Sequence, residues 1–293
     1  FMDRRISRFD LTAMLETNLP ATNPLPPIQT VSVEALPPTI LLGKRLFYDA
    51  ADDRLALDDY LSCASCHNDG DGDGRVWDLG GFGEGLRNTI DLRGKGTGHG
   101  RPHWTGNFDE VQDFEGQIRG LNLGSGLLTP TDFAATSAPL GPPKAGLSAD
   151  LDALAAYVNS LTTPPASPSR PSAGTLGADA TQGRLEFAQL GCLGCHSVPS
   201  LTDSPTTVRH DVGTIKPSSG QRLGGPLDGF DTPGLIGAWA NPPFLHDGSA
   251  PTLEAAITAH TAFASLPPAT LGRLAAFLRE AEPTDLIALV DTD

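Results

Sequence analysis

Cys63-Ala-Ser-Cys66-His67 and Cys192-Leu-Gly-Cys195-His196 repeat one five-residue pattern, and together they use all four cysteines of the chain. Cysteines spaced in this way suit a redox dithiol, part of a four-thiolate zinc site, or covalent attachment of a c-type haem. Only the last accounts for a histidine directly after both pairs. The thiols add to the haem vinyl groups, and the adjacent imidazole reaches the iron from the proximal side. The motifs therefore predict two covalently bound haem c groups, one held by Cys63, Cys66 and His67, the other by Cys192, Cys195 and His196. Because c-type haem is attached outside the cytoplasm, the expected location is periplasmic or extracellular. The first residues, FMDRRISRFDLTAMLETNLP, carry no apolar signal core, so an export signal would lie outside this chain.

Other residues of chemical interest are few. TLEAAITAH is built of helix formers and ends on His260, where its apolar pattern would accept leucine or methionine. The stretch GTGHGRPHW contributes His99, His103 and Trp104, and RHDVGT contributes His210. Asp69 to Gly74 (DGDGDG) opens like an EF-hand loop, but Gly80 stands where the closing bidentate glutamate is required, so the EF-hand reading fails.

The elements that must hold these residues are helical. PPTILLGKRLFYD leads to the first motif and ATQGRLEFAQL to the second. SADLDALAAYVNSL closes the first half with Leu151, Leu154, Ala155, Val158 and Leu161 on one face, and ATLGRLAAFLREA closes the second with Leu271, Leu274, Ala275 and Leu278. No convincing series of alternating strands appears. With Gly 33 and Pro 26 in 293 residues, the expected class is mainly α and loop-rich, with the cofactor contributing to the core. The domains read as an extended lead-in over 1–38, an N-terminal haem domain over 39–161, a Pro/Ser-rich linker over 162–177 and a C-terminal haem domain over 178–293, the halves related by duplication.

Lys plus Arg number 20 against 35 Asp plus Glu, a formal charge of -15. Such a surface disfavours nucleic acid and anionic membranes and suits a basic redox partner protein. No apolar run reaches the length of a membrane span.

The residues resemble the di-haem bacterial cytochrome c peroxidases and MauG-like enzymes over about 39–283. The resemblance is carried by LLGKRLFYD, by RNT at Arg87 to Thr89, by HWTGN where that family has FWDGR, and by DTPGL followed by NPPFLHDGSAPTLEAAI. It implies two cytochrome c-like domains with haems facing the domain interface, the N-terminal haem reactive and the C-terminal one transferring electrons. In the peroxidases a methionine fourteen residues past the HDG histidine binds the electron-transfer iron, and MauG-like enzymes use a tyrosine in that region. Counting from His246 arrives at His260, so the resemblance pairs His196 with His260 on a low-spin, low-potential iron. It also implies Ca²⁺ between the domains, on the Asn88 side chain and the carbonyls of Asn241 and Pro243. Trp104 falls where the family has a tryptophan between the haems.

The sequence departs from the family at the first haem. GLNLGSG stands where the distal catalytic glutamate is found, and it has no carboxylate. Glu115 and Gln117 are the neighbouring candidates, with Asp113 and Gln112 also close, and His103 offers an imidazole base or ligand instead. His210 is expected near the second haem without binding its iron, and His246 at a propionate or the interface. The implied activity is that of a redox enzyme acting on peroxide or O₂. The alternative is a pure electron-transfer module, and in either case the chain is a candidate part of a larger polypeptide or oligomer.

Overall fold

The computed structural model describes residues 4–285 apart from 19, 21, 95–99 and 173. One helix opens and one helix closes each half of the chain. Pro38–Tyr48 packs against Ala149–Asn159, and Ala178–Gln189 packs against Pro268–Glu280. Proline at the first position fits Pro38–Tyr48 and Pro268–Glu280, since the first helical N–H has no partner to lose. Ser148 caps Ala149–Asn159 by accepting from Leu151 N at 3.3 Å.

Both helix pairs cross at a glycine. A Cβ on Gly43 would lie 1.8 Å from the carbonyl oxygen of Ala153, and one on Gly183 would lie 1.9 Å from that of Arg273. Only glycine permits these backbones to approach so closely. Four residues on, Phe47 meets Tyr157 edge-on at 5.1 Å between ring centroids, and Phe187 meets Phe277 at 5.4 Å. Each crossing is the centre of its own hydrophobic core, with Cys63 packed against the first and Cys192 against the second.

The expected faces are mostly buried: Leu151, Leu154 and Ala155 in one closing helix, Leu274, Ala275 and Leu278 in the other. Val158, Leu161 and Leu271 are only partly covered. The faces turn instead toward the glycine crossings, which buries Ala153, Tyr157 and Phe277.

Strands among the described residues form three antiparallel pairs, two of them short: Val76–Asp78 with Leu86–Asn88, and Arg209–His210 with Phe230–Asp231. The third lies in the lead-in, where Arg5–Asp10 pairs with Asn23–Gln29 across the short helix Thr12–Thr17. The prolines at 24, 26 and 27 hold extended backbone, and Arg8 donates twice to the Pro26 carbonyl, at 3.1 and 2.8 Å. The 162–177 stretch is anchored by Arg170, whose side chain is 3% exposed and bonds Asp285 at 2.8 Å and the Glu280 carbonyl at 2.6 Å. No helix among the described residues is long and apolar enough to cross a membrane.

The two halves meet along a polar seam. Arg87 donates to the carbonyls of Ser219 at 2.8 Å and Gln221 at 3.1 Å, and Arg222 returns the contact to Thr105 at 2.8 Å and Gly106 at 3.0 Å. The Asp231 N–H donates to the Trp104 carbonyl at 2.8 Å. These bonds satisfy loop backbone that would otherwise be buried without partners, and they fix the loops that carry the candidate site.

Candidate functional site

Each CxxCH motif is wound into one helical turn. Cys63–Cys66 is a short helix capped reciprocally by Ser62 and Ser65, and Cys192–Gly194 is a 3₁₀ turn entered through Gly191 at φ 80°. In both, the histidine N–H bonds back to the carbonyl of the first cysteine, His67 to Cys63 at 3.0 Å and His196 to Cys192 at 2.8 Å. This places both cysteines and the histidine of each motif on one helical turn. Burial pushes the thiols of Cys63 and Cys192 up to about 11, so neither is a reactive thiolate by itself. The pairs also pack on separate cores, so the four sulfurs are not gathered into one tetrahedral site.

Each motif histidine has a second histidine within electrostatic range. Burial holds His196 neutral, with its pKa lowered to about 4, and the nearby imidazole of His260 further disfavours its protonated form. His196 Nδ1 bonds the Leu201 carbonyl at 3.1 Å, and His260 Nδ1 bonds the Ala256 carbonyl at 3.0 Å. A carbonyl only accepts, so both rings carry their proton on Nδ1 and present the Nε2 lone pair. In the other half, burial lowers His67, and the nearby imidazole of His103 further disfavours its protonated form. The His67 Nδ1 atom is buried without a hydrogen-bond partner among the described residues.

His103 sits in a polar and aromatic pocket. Its backbone is left-handed at φ 69°, a strained conformation for a side chain of this size. The ring packs on Phe108 at 4.4 Å and on Phe114 at 4.9 Å. Nδ1 lies 2.7 Å from Asn107 Oδ1 and Nε2 lies 3.5 Å from the Gln117 amide nitrogen. Gln117 is thus brought to His103.

Glu115 is placed differently. It is fully buried; Oε1 accepts from Arg119 at 2.7 Å and from Leu128 N at 3.1 Å, and Oε2 from Leu127 N at 2.9 Å. Its carboxylate holds the 126–128 loop onto its helix and is not turned to His103, because three donors already occupy it. Asp113 is likewise taken up by Lys144 at 2.5 Å, and Gln112 by Asp152 at 2.9 Å.

Trp104 stands on the seam. Its Nε1 donates to the Asn88 carbonyl at 2.8 Å, and its ring meets His246 edge-on at 6.5 Å. His246 is 2% exposed, stacks on Phe230 at 4.0 Å and bonds Ser219 Oγ at 2.7 Å. It is an interface residue.

At the expected cation position, Asn88 Nδ2 lies 2.5 Å from the Pro243 carbonyl, while Asn88 Oδ1 is buried with no partner among the described residues. Turning that amide over would set two oxygens side by side, the donor chemistry a hard cation takes. The Asn241 side chain donates to Asp91 at 2.6 Å and accepts from Gly72 N at 3.2 Å.

His210 bonds Asp203 at 2.7 Å and lies with it beside Cys195. His99 lies outside the described residues.

No family model and no curated protein matches the chain. Solved structures do. Hydrazine synthase of Kuenenia stuttgartiensis superposes at TM-score 0.62 with 23% identity, covering 85% of this chain and 89% of its own. A MauG-like protein associated with microbial copper homeostasis superposes at 0.56 with 23% identity, covering 88% and 92%. The diheme peroxidase BthA of Burkholderia thailandensis superposes at 0.53 with 16% identity, covering 90% of each chain. The fold is that of the di-haem peroxidase and MauG-like proteins. At these identities the likeness concerns the fold.

Sequence reading missed Glu84 and Asn107, which bind each other at 3.0 Å beside His103. Glu84 lies just upstream of RNT and Asn107 ends HWTGN, but nothing in their spacing announces a contact. The two crossings do have a signal in the sequence, since Gly43/Phe47 and Gly183/Phe187 are each Gly-x₃-Phe at the same place in an opening helix.

Proposed function

We propose that the chain is an exported di-haem c-type redox protein whose N-terminal haem is the reactive one and whose C-terminal haem, between His196 and His260, transfers electrons. The observation that carries this reading is the recurrence of one CxxCH turn on each of two separate hydrophobic cores, with a second histidine within electrostatic range of each motif histidine, His260 for His196 and His103 for His67. The matching glycine and aromatic crossings support two cytochrome c-like domains derived by duplication.

The residues fit the cofactor. Cys63, Cys66 and His67 would hold the first haem, and Cys192, Cys195, His196 and His260 the second. When bound, haem supplies one-electron redox chemistry and, at an open position, a place for peroxide to be reduced. Reducing peroxide to two waters takes two electrons and two protons. In this reading His103 moves those protons, a role supported by the absence of a carboxylate in GLNLGSG and by the engagement of Glu115 elsewhere. Trp104 bridges the halves, and the acidic surface suits a basic electron donor. Asn88, with the carbonyls of Asn241 and Pro243, would hold Ca²⁺ at the seam.

The test is electron paramagnetic resonance on the oxidised protein, after gel electrophoresis has shown two haems retained through denaturation. One high-spin and one low-spin iron, with cyanide binding rapidly to one haem, supports the enzyme. Two low-spin irons, with His103→Ala converting one to high-spin, would make His103 a ligand and the chain an electron-transfer module. A colourless denatured band would overturn both readings.

A further inference from the structure

Asn107 is 5% exposed and Glu84 6%, and neither has a role in the reading above. The Asn107 amide faces two partners. Its nitrogen lies 3.0 Å from Glu84 Oε1, and its oxygen 2.7 Å from His103 Nδ1. Glu84 is fixed in turn: Oε1 also accepts from Leu223 N at 3.1 Å, while Oε2 accepts from Arg87 at 2.8 Å and from Thr105 Oγ at 3.0 Å.

Hydrogen-bond logic sets the direction of this chain. A carboxylate paired with Arg87 is an acceptor, so Asn107 must turn its NH₂ toward Glu84 and its oxygen toward His103. An oxygen there demands that His103 carry its proton on Nδ1. The lone pair is then on Nε2, the nitrogen beside the Gln117 amide.

We infer that Glu84 and Asn107 are positioning residues that lock His103 in the Nδ1–H tautomer, so that Nε2 is the proton-accepting atom over the first haem. This rests on the reading of His103 as the distal group. The lock is built at the seam, because the Glu84 oxygen that receives Asn107 also receives Leu223 from the other half.

The prediction is specific to an isosteric change. In Glu84→Gln the Arg87 cation keeps the amide oxygen, which turns the new NH₂ toward Asn107. Asn107 then flips and offers its own NH₂ to His103 Nδ1, and the proton moves to Nε2. The probe is cyanide, added to the oxidised haem-loaded protein. As hydrogen cyanide binds, its proton passes to a base and its carbon to iron, so association reports whether Nε2 holds a lone pair. Glu84→Gln should slow association at least tenfold and alter its pH profile, with the low-spin signal of the second haem unchanged. Asn107→Leu, which leaves the Arg87 pair intact, should do the same and decides the matter if Glu84→Gln does not fold. If His103→Ala slows association while both other variants keep the native rate and pH profile, the positioning inference is wrong and the His103 reading stands. If His103→Ala has the native rate, the reading beneath it fails as well.

Discussion

The backbone N–H of Asn88 donates to the carbonyl oxygen of His246 at 2.6 Å, so the strand that precedes Trp104 is stitched directly to the HDG loop of the other half. The orphaned Asn88 side-chain oxygen lies at this stitch. Ca²⁺ should therefore raise the melting temperature and a chelator should lower it. At a hundredfold excess over Kd the gain is about 2.7 kcal/mol. Asn88→Leu should lose the response, and a calcium-independent melt in the native protein would remove the cation from this seam.

The glycine crossings predict large, local mutational costs. Gly43→Ala and Gly183→Ala should each destabilise by about 3 kcal/mol or more, because the added carbon meets backbone that cannot step aside. Gly272→Ala is the contrast. Gly272 lies in the closing helix Pro268–Glu280, and a Cβ added there would meet no neighbour within 4 Å, so alanine should stabilise by about 0.5–1 kcal/mol. Urea unfolding of the three variants measures the difference.

For the second haem, His260→Met should keep a low-spin iron and raise its reduction potential by a sizeable part of the ~0.8 V that axial ligands span. His260→Ala should open the site to added imidazole. Spectroelectrochemistry checks the first and titration the second. Native spectra in both variants would move the ligand elsewhere, with His210 next in line.

Asp231 predicts a pH dependence. Burial raises its pKa from 3.8 to about 7, the charge of Asp203 adds to this, and the Ser204 bond, Arg101 and His210 oppose it. In the unfolded chain the carboxyl ionises as pH rises past 3.8, while in the folded protein it keeps its proton until about 7. Its stabilising contribution is therefore complete at acid pH and is lost as pH rises through this window. Asp231→Asn should flatten the slope and be more stable than the native protein at pH 8 by on the order of a few kcal/mol. Parallel melting curves would sink the idea.

The parts of the fold visible in the sequence are those with a short repeat. The CxxCH turns and the closing helices follow from spacing alone. What stays hidden depends on distant contacts. Tyr157 and Phe277 look like members of polar or secondary faces until the glycines opposite them are known to draw the helices together. Glu115 reads as a candidate acid because sequence shows its type and not its three donors. Glu84 and Asn107 lie 23 residues apart and meet only when the loops close against Arg87 and Thr105.

Trp104 carries one more consequence. Its indole N–H is held by an amide carbonyl, the oxygen of Asn88, which is too weak a base to remove a proton. An indole that surrendered an electron here would keep its hydrogen and stay a cation, and refilling the vacancy would need an electron alone. If Trp104 relays charge across the seam, that transfer would be uncoupled from proton movement, and its rate should be the same in light and heavy water.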